Sequence, residues 1–452
     1  MNLNDTLTWG EAFIRKEREA GRHWRRWRGD YLLWAGGWRV LGAEDAEAHM
    51  AGFLRTCRSV SRSEDGETVR RAVKVNAKNV NELLRAVRVM AALDSGIEPP
   101  AWIGPSASDS SLPRPAEVIP FRGGLLDTRS RAVLQPTPDF FSLSTLPFAV
   151  DLAAPEPVAW LAFLHNVWGV DEGSIQTLQE WFGYCLTPDT SQQKMLMLLG
   201  PKRSGKGTMM RTLTRLVGVE NVVAPAMRDI GENFGLESWI GKSLATVGDA
   251  RVDRRVGGAL VERLLSISGE DAQTVARKFA KAWTGRLGAR IVIVSNETPD
   301  LVDAAGALAD RCILVGTTRS YLGQEDTELE AKLTDELPGI LLWALGGLDR
   351  LRVRGKFVEP KTSASRRYEL RTVTSPVSTF LEERCEVGPD LSVSASELYA
   401  AWQDWCEING MTRREDAAGF GRALRAAAPR VEVRRSESNG ARRYYGVCPT
   451  NT

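Results

Sequence analysis

The sequence predicts an α/β protein: a parallel sheet covered by helices and carrying a glycine-rich loop, with a mixed, partly helical region before it and a winged-helix domain after it. Three observations predict this. The stretch "MLMLLGPKRSGKGTMMRTL" from Met195 reads as a buried strand, a glycine-rich loop and an amphipathic helix. Four short apolar runs, "MLMLL", "SLATVG", "RIVIVSN" and "CILVG", alternate with longer helical segments, the pattern of a parallel sheet buried on both faces. From about Ser375 three helical segments precede two strands around "SNGARR", the order of a winged-helix module.

A chain of 452 residues with 43% hydrophobic content has enough apolar material for two or three cores. The expected units are an N-terminal accessory region over 1–150, a helical collar with the sheet over 151–360, and the winged-helix domain over 375–449. A formal net charge of +2 gives no global field, so nucleic-acid contact must come from local patches. Two stand out: "IRKEREAGRHWRRWRGD" near the N-terminus, and the span from Arg413 to Arg443, where nine arginines face four acids. Six scattered cysteines without a CxxC pair, and only three histidines, argue against a zinc site and for free thiols. The N-terminus lacks a continuous apolar segment and no run of eighteen apolar residues occurs, so the expectation is a soluble, cytoplasmic protein without membrane contact.

Along the chain, the first sixty residues are rich in tryptophan and arginine, and "NVNELLRAVRVMAAL" from Asn79 has helical spacing. "EPPAWIGPSASDSSLPRP" reads as a loop, and "AEVIPFRGGLLDTRSRAVLQP" as two short strands. From Pro157 to Leu186 apolar residues recur at helical spacing, which places a helical collar ahead of the loop. The helix "DELPGILLWALGGLDRLRVRG" closes the sheet-bearing block.

The loop comprises Gly200, Pro201, Lys202, Arg203, Ser204, Gly205, Lys206, Gly207 and Thr208. Glycines permit the dihedrals that turn successive N–H groups inward, and the helix that follows adds its positive end. Lys206 then reaches the terminal phosphates of a nucleotide as a point charge. The residue after the lysine usually carries a hydroxyl for Mg²⁺; here it is Gly207, and Thr208 follows, positioned for an α-phosphate or for the metal. ATP and Mg²⁺ are the expected cofactors. Asp249, at the end of "GKSLATVGD", is a candidate metal ligand and water activator. Asn296, at the end of "RIVIVSN", is placed to contact the γ-phosphate or the attacking water, and Arg311 precedes the last strand as a candidate arginine finger.

Loop, acid strand, asparagine strand and arginine, in that order within about 115 residues, resemble superfamily 3 helicases, the AAA+-related ring ATPases of small viruses, phages and plasmids. "IPFRGGLLDTRS", "LQEWFGYCLTPDTSQQKMLMLLGP", "VERLLSISGEDAQTVARK", "WTGRLGARIVIVSNETP" and "ELPGILLWALGGLDRL" resemble the helicase portion of phage and plasmid primase-helicases and poxvirus-type primase-associated ATPases. The resemblance runs from about Asn79 onward. The family commonly pairs two acids at the end of the acid strand, which implies Glu262 or Asp253 as the second beside Asp249. It implies an AAA+-like P-loop ATPase core, a homo-hexameric ring and 3′ to 5′ travel on single-stranded or forked DNA, with Arg311 completing the neighbouring subunit's site. It also implies a DNA-contacting hairpin at "TVARKFAKAW", with Lys278 and Phe279 at the pore flanked by Arg277 and Lys281. Arg434, Arg435, Arg442 and Arg443 are the candidate contacts of the winged helix to duplex or origin DNA. The region before Asn79 is too short for a primase module, so a separate primase or polymerase is the expected partner. Two other readings compete: a replication-origin binding or assembly protein with weak or lost ATPase, and a P-loop nucleotide kinase.

Overall fold

The computed structural model describes residues 6–62, 68–248, 254–278, 281–299, 301, 306–324, 326–411, 414–435 and 440–450. The N-terminal portion is built from helix α1 (Thr6–Glu19), strands β1 (His23–Trp27), β2 (Asp30–Trp34) and β3 (Trp38–Leu41), helix α2 (Ala43–Thr56), strands β4 (Arg58–Arg62) and β5 (Thr68–Ala72), and helix α3 (Ala77–Met90). The tryptophans make its core. Trp9, Phe13 and Trp24 lie fully buried with Met50, Leu54 and Leu83, the face that the apolar spacing of α3 presents. Asn76 caps α3 by accepting from the Asn79 N–H at 2.9 Å.

The connecting region carries β6 (Ala101–Trp102), a three-stranded antiparallel sheet of β7 (Val118–Phe121), β8 (Gly124–Asp127) and β9 (Val133–Leu134), and β10 (Phe140–Phe141). The sequence suggested two strands here; the third is a two-residue ladder on the edge, too short to give a pattern. Helices α4 (Val158–Trp168) and α5 (Glu172–Leu186) form the collar.

The central sheet consists of β11 (Met195–Leu199), followed by helix α6 (Lys206–Val217), then β12 (Val222–Val223), helix α7 (Met227–Ile230) and β13 (Leu244–Gly248). Helix α8 (Arg254–Ser268), the hairpin β14 (Gln273–Val275) with β15 (Trp283–Gly285), and β16 (Arg290–Ser295) come next, then α9 (Ala307–Arg311) and β17 (Cys312–Gly316). The strand order is β12-β13-β16-β11-β17, all parallel. The late strand β16 inserts between β13 and β11, so the connections that leave β11 and β16 run in opposite senses and a crevice opens at the strands' C-terminal ends, where ligands of open α/β sheets bind. The inner strands are buried on both faces, which is why their sequences read as apolar runs without alternation. Helices α10 (Leu329–Asp335) and α11 (Leu337–Arg354) follow. Helix α11 packs along α5, where Glu180, 1% exposed, is held by Arg350 at 2.7 Å and by Arg354.

Helix α12 (Ala364–Thr374) leads to the C-terminal unit: α13 (Pro376–Arg384), β18 (Cys385–Ser394), α14 (Ala395–Ile408), α15 (Ala417–Ala427), β19 (Glu432–Arg435) and β20 (Arg442–Pro449). The three helices and the hairpin appear in the expected order. Strand β18 is an addition; it pairs with β20 to make a three-stranded sheet ordered β18-β20-β19. Its composition, "CEVGPDLSVS", with a glycine and a proline, gives no strand pattern. All six cysteines are free, and no helix of the described residues is long and apolar enough to cross a membrane.

Candidate functional site

The loop after β11 bends because its neighbours leave no alternative. At Gly200 (φ 154°) a Cβ would overlap the hydroxyl and carbonyl of Thr317. At Gly205, φ is 91° and a Cβ would stand 3.0 Å from both Phe163 and Val167 of α4. Thr317 anchors the turn: its N–H donates to Leu199 O at 2.8 Å and its hydroxyl lies 2.6 Å from Ser204 Oγ, which is 1% exposed. Ser320 Oγ donates to Lys202 O at 2.8 Å and the Tyr321 N–H to Arg203 O, also at 2.8 Å. The segment after β17 thus splints the loop from the side.

Lys206, the first residue of α6, is 5% exposed and folds back over the loop. Its ammonium donates to Gly200 O at 2.6 Å, Pro201 O at 2.7 Å, Ser204 Oγ at 3.3 Å and Asn296 Oδ1 at 3.3 Å. All four acceptors are neutral. Burial pushes the Lys206 pKa below its ordinary value, and the nearby Arg366 guanidinium lowers it further. Arg366 belongs to α12 and donates to Thr317 O at 3.0 Å. A buried cation with no carboxylate partner among the described residues, a second cation beside it and a helix N-terminus together favour an arriving anion.

A cavity of about 920 Å³ opens beside the loop, lined on one side by Lys202 to Thr208 and Asn296, and on the other by Phe163, Val167, Tyr321 and Leu329. Tyr321 is fixed at both ends, since its hydroxyl bonds Asn166 O and its N–H bonds the loop. The volume is of the size that holds a cofactor, with a charged end and an apolar end. Thr208 Oγ1 accepts from Arg211 at 3.3 Å, and Arg211 in turn pairs with Glu330. The cationic, apolar-ended outline fits a nucleoside triphosphate. For Mg²⁺, Thr208 supplies a hydroxyl at the loop's edge, while Asp249, the other expected ligand, and Asp253 lie outside the described residues, among which no cluster of three metal-ligating side chains occurs. Glu262 is exposed on α8.

The register explains why Asn296 meets the loop. Leu199 pairs with Ser295, so the next residue on β16 stands beside Gly200. Arg311 is elsewhere. Cys312 pairs with Met195 and Gly316 with Leu199, which puts Arg311 at the opposite end of the sheet, about 15 Å from the loop along the strand. There its guanidinium donates to Ser268 Oγ at 3.5 Å at the end of α8.

Around the DNA-contact candidates, "TVARKFAKAW" forms the hairpin of β14 and β15, in register Val275 to Trp283. Lys278 and Lys281 are exposed at its tip, the Lys278 ammonium 5.8 Å from the Phe234 ring, and Phe279 lies outside the described residues. Arg277 is engaged with Asp30, at 2.9 and 3.3 Å. Several arginines of the N-terminal patch likewise have partners within the chain: Arg22 pairs with Glu17 at 2.6 Å, Arg26 stacks on Tyr31 and Arg28 pairs with Glu98. In the C-terminal hairpin Arg434 stands directly opposite Arg443, and Arg435 opposite Arg442.

Sequence reasoning missed Thr317, Arg366, Phe163 and Tyr321. A threonine directly after the buried "CILVG" run was the one available signal, because a polar residue at the C-terminal edge of a parallel strand faces the crevice.

Residues 198–311, from the end of β11 through α9, match a family of unknown function, DUF5906. Residues 375–448 match the RFX DNA-binding domain. That match supports DNA as a partner of the C-terminal unit. Among solved structures, the apo structure of the NrS-1 C-terminal region superimposes with a TM-score of 0.56 at 13% identity, covering 98% of this chain and 100% of that one. The A form apo structure of the same region gives 0.52 at 13% identity, over 96% and 98%. The two folds are alike. The likeness spans the N-terminal portion too, which the sequence had left unplaced.

Proposed function

We propose that this chain is an ATP-hydrolysing DNA motor, a superfamily 3-type replicative helicase of a phage or mobile element that works as a homo-hexameric ring on single-stranded DNA. The observation that carries the reading is Lys206: an ammonium buried under a glycine-rich loop, held among the described residues by neutral oxygens, at the floor of a cavity of nucleotide size. Burying a lysine without an acid is costly unless an anion arrives to share the charge.

In this reading the loop's N–H groups and the α6 N-terminus receive the β-phosphate, and Lys206 turns from the Gly200 and Pro201 carbonyls toward the γ-phosphate. Phe163, Val167 and Tyr321 exclude water from the apolar end. Asn296 orients the attacking water or senses the γ-phosphate through its amide, and Arg366 adds positive charge from α12. Mg²⁺, when bound with the nucleotide, neutralises phosphate charge, and Thr208 is the hydroxyl at hand to hold it. Asp249 serves as the metal ligand or water activator, and Arg311, remote from its own loop, completes the site of a neighbouring subunit. The tips of the β14–β15 hairpins, bearing Lys278 and Lys281, follow the sugar-phosphate backbone, and the C-terminal hairpin holds duplex DNA. A separate primase or polymerase supplies synthesis.

The discriminating experiment is ATP turnover by purified protein with and without single-stranded DNA. Stimulation by the strand supports the motor; turnover that requires a nucleotide acceptor, or no turnover at all, overturns it.

A further inference from the structure

The first ninety or so residues make contacts that bear on the hairpin, and this inference rests on the proposal that the hairpin touches DNA. Residues of the tight β1–β2 turn reach it at two places. At the tip, Arg277 Nη2 donates to Asp30 Oδ1 at 2.9 Å and Nη1 to Oδ2 at 3.3 Å, a bidentate pair with side chains 20% and 21% exposed. At the base, the Arg28 guanidinium lies between two indoles, 4.5 Å from the Trp27 ring centre and 5.6 Å from that of Trp283, itself 5% exposed. Arg28 is locked further by Ser95 O at 3.0 Å and by Glu98. Gly285 makes room for it, since a Cβ there would stand 2.5 Å from Arg28 Nη1.

The cations of the tip therefore divide. Lys278 and Lys281 are exposed, and neither has an ion-pair partner among the described residues. Arg277 is already neutralised by an oxyanion whose fork matches the geometry a DNA phosphate would offer. A phosphate that engages Arg277 has to displace Asp30.

We infer that Asp30 is a positioning residue for DNA binding: it occupies Arg277 as an internal substitute for a phosphate, so the N-terminal portion sets how many hairpin cations a strand can engage. The base contact through Arg28 keeps the hairpin in place when the tip pair opens. Lys278 makes first contact, and exchange of Asp30 for a phosphate at Arg277 is the second step.

The test uses the full chain and a fluorescent oligothymidylate, with affinity read by anisotropy over a salt series. Asp30→Asn keeps the size and removes the charge. It is expected to tighten binding about tenfold at low salt and to steepen the plot of log affinity against log salt by about 0.7, one additional phosphate contact on a single strand. Asp30→Glu should restore the ordinary slope. Arg277→Ala should weaken binding much more in the Asp30→Asn background than alone. Unchanged affinity and slope in Asp30→Asn, or weaker binding, overturns the inference. Lys278→Ala separates the two levels. If it weakens binding while Asp30→Asn does nothing, the hairpin still touches DNA and only the role of Asp30 falls; if Lys278→Ala also does nothing, the hairpin reading itself falls and this inference with it.

Discussion

Lys206 Nζ and Asn296 Oδ1 lie 3.3 Å apart, although 90 residues separate them in the chain. The contact exists because β16 inserts beside β11 and the register pairs Ser295 with Leu199. One amide and one ammonium thus face the same small volume, which the proposed function assigns to a γ-phosphate and its attacking water.

Asn296→Ala removes one of four neutral acceptors and leaves Lys206 held by Gly200, Pro201 and Ser204. Nucleotide affinity should change by less than about threefold, while turnover should fall by about 100-fold, the loss typical of one positioned transition-state group. Steady-state kinetics alongside equilibrium binding checks the split; equal losses in both would place Asn296 in binding instead.

Arg311 lies at the far end of the sheet from its own loop. Arg311→Ala should bind ATP normally and fail to hydrolyse it, and Lys206→Ala should also be inactive. Mixing the two variants should recover measurable turnover, because some interfaces then join an intact loop to an intact arginine. A mixture as inactive as its components argues against completion by a neighbour.

In the C-terminal hairpin, like charges stand directly opposite one another at Arg434 with Arg443 and at Arg435 with Arg442, an arrangement that costs stability in the free protein. Removing Arg435 and Arg442 together should leave the melting temperature unchanged or raised. The same variant should weaken duplex DNA binding and lower the salt slope by about one per arginine, if each meets a phosphate. Lower stability with unchanged DNA binding would assign the pair to the fold.

Glu180 is the buried acid between α5 and α11, paired with Arg350 and Arg354. Glu180→Ala leaves two guanidinium groups without their shared carboxylate. The expected cost is about 3–5 kcal/mol, read from the midpoint of urea unfolding. A loss under about 1 kcal/mol would mean that water replaces the pair.

What was legible in the sequence was local. The loop from Gly200 to Thr208 announces itself because backbone bends need glycine and phosphates need cations at fixed offsets. The strands of the sheet are apolar runs because both faces are covered. What stayed hidden depends on contacts across long stretches of chain: Thr317 on Ser204, Phe163 against Gly205, Arg366 beside Lys206 and Asp30 on Arg277. Side-chain pairing within the basic N-terminal stretch was also not legible in the sequence. Arg22, Arg26 and Arg28 spend their charge on Glu17, Tyr31 and Glu98. The edge strands β9 and β18 were missed because β9 has only two residues and the alternation of β18 is interrupted by Gly388 and Pro389.

The central claim is that the loop after Leu199 binds the terminal phosphates of a nucleotide through Lys206. Equilibrium calorimetry of ATP with the unaltered chain and with Lys206→Ala tests it most directly. The account predicts saturable binding by the first, and affinity at least about 100-fold weaker in the second, the loss of a charge-assisted contact to phosphate, with both proteins folded. Equal affinity in the two proteins, or no ATP binding by the unaltered chain, would contradict it.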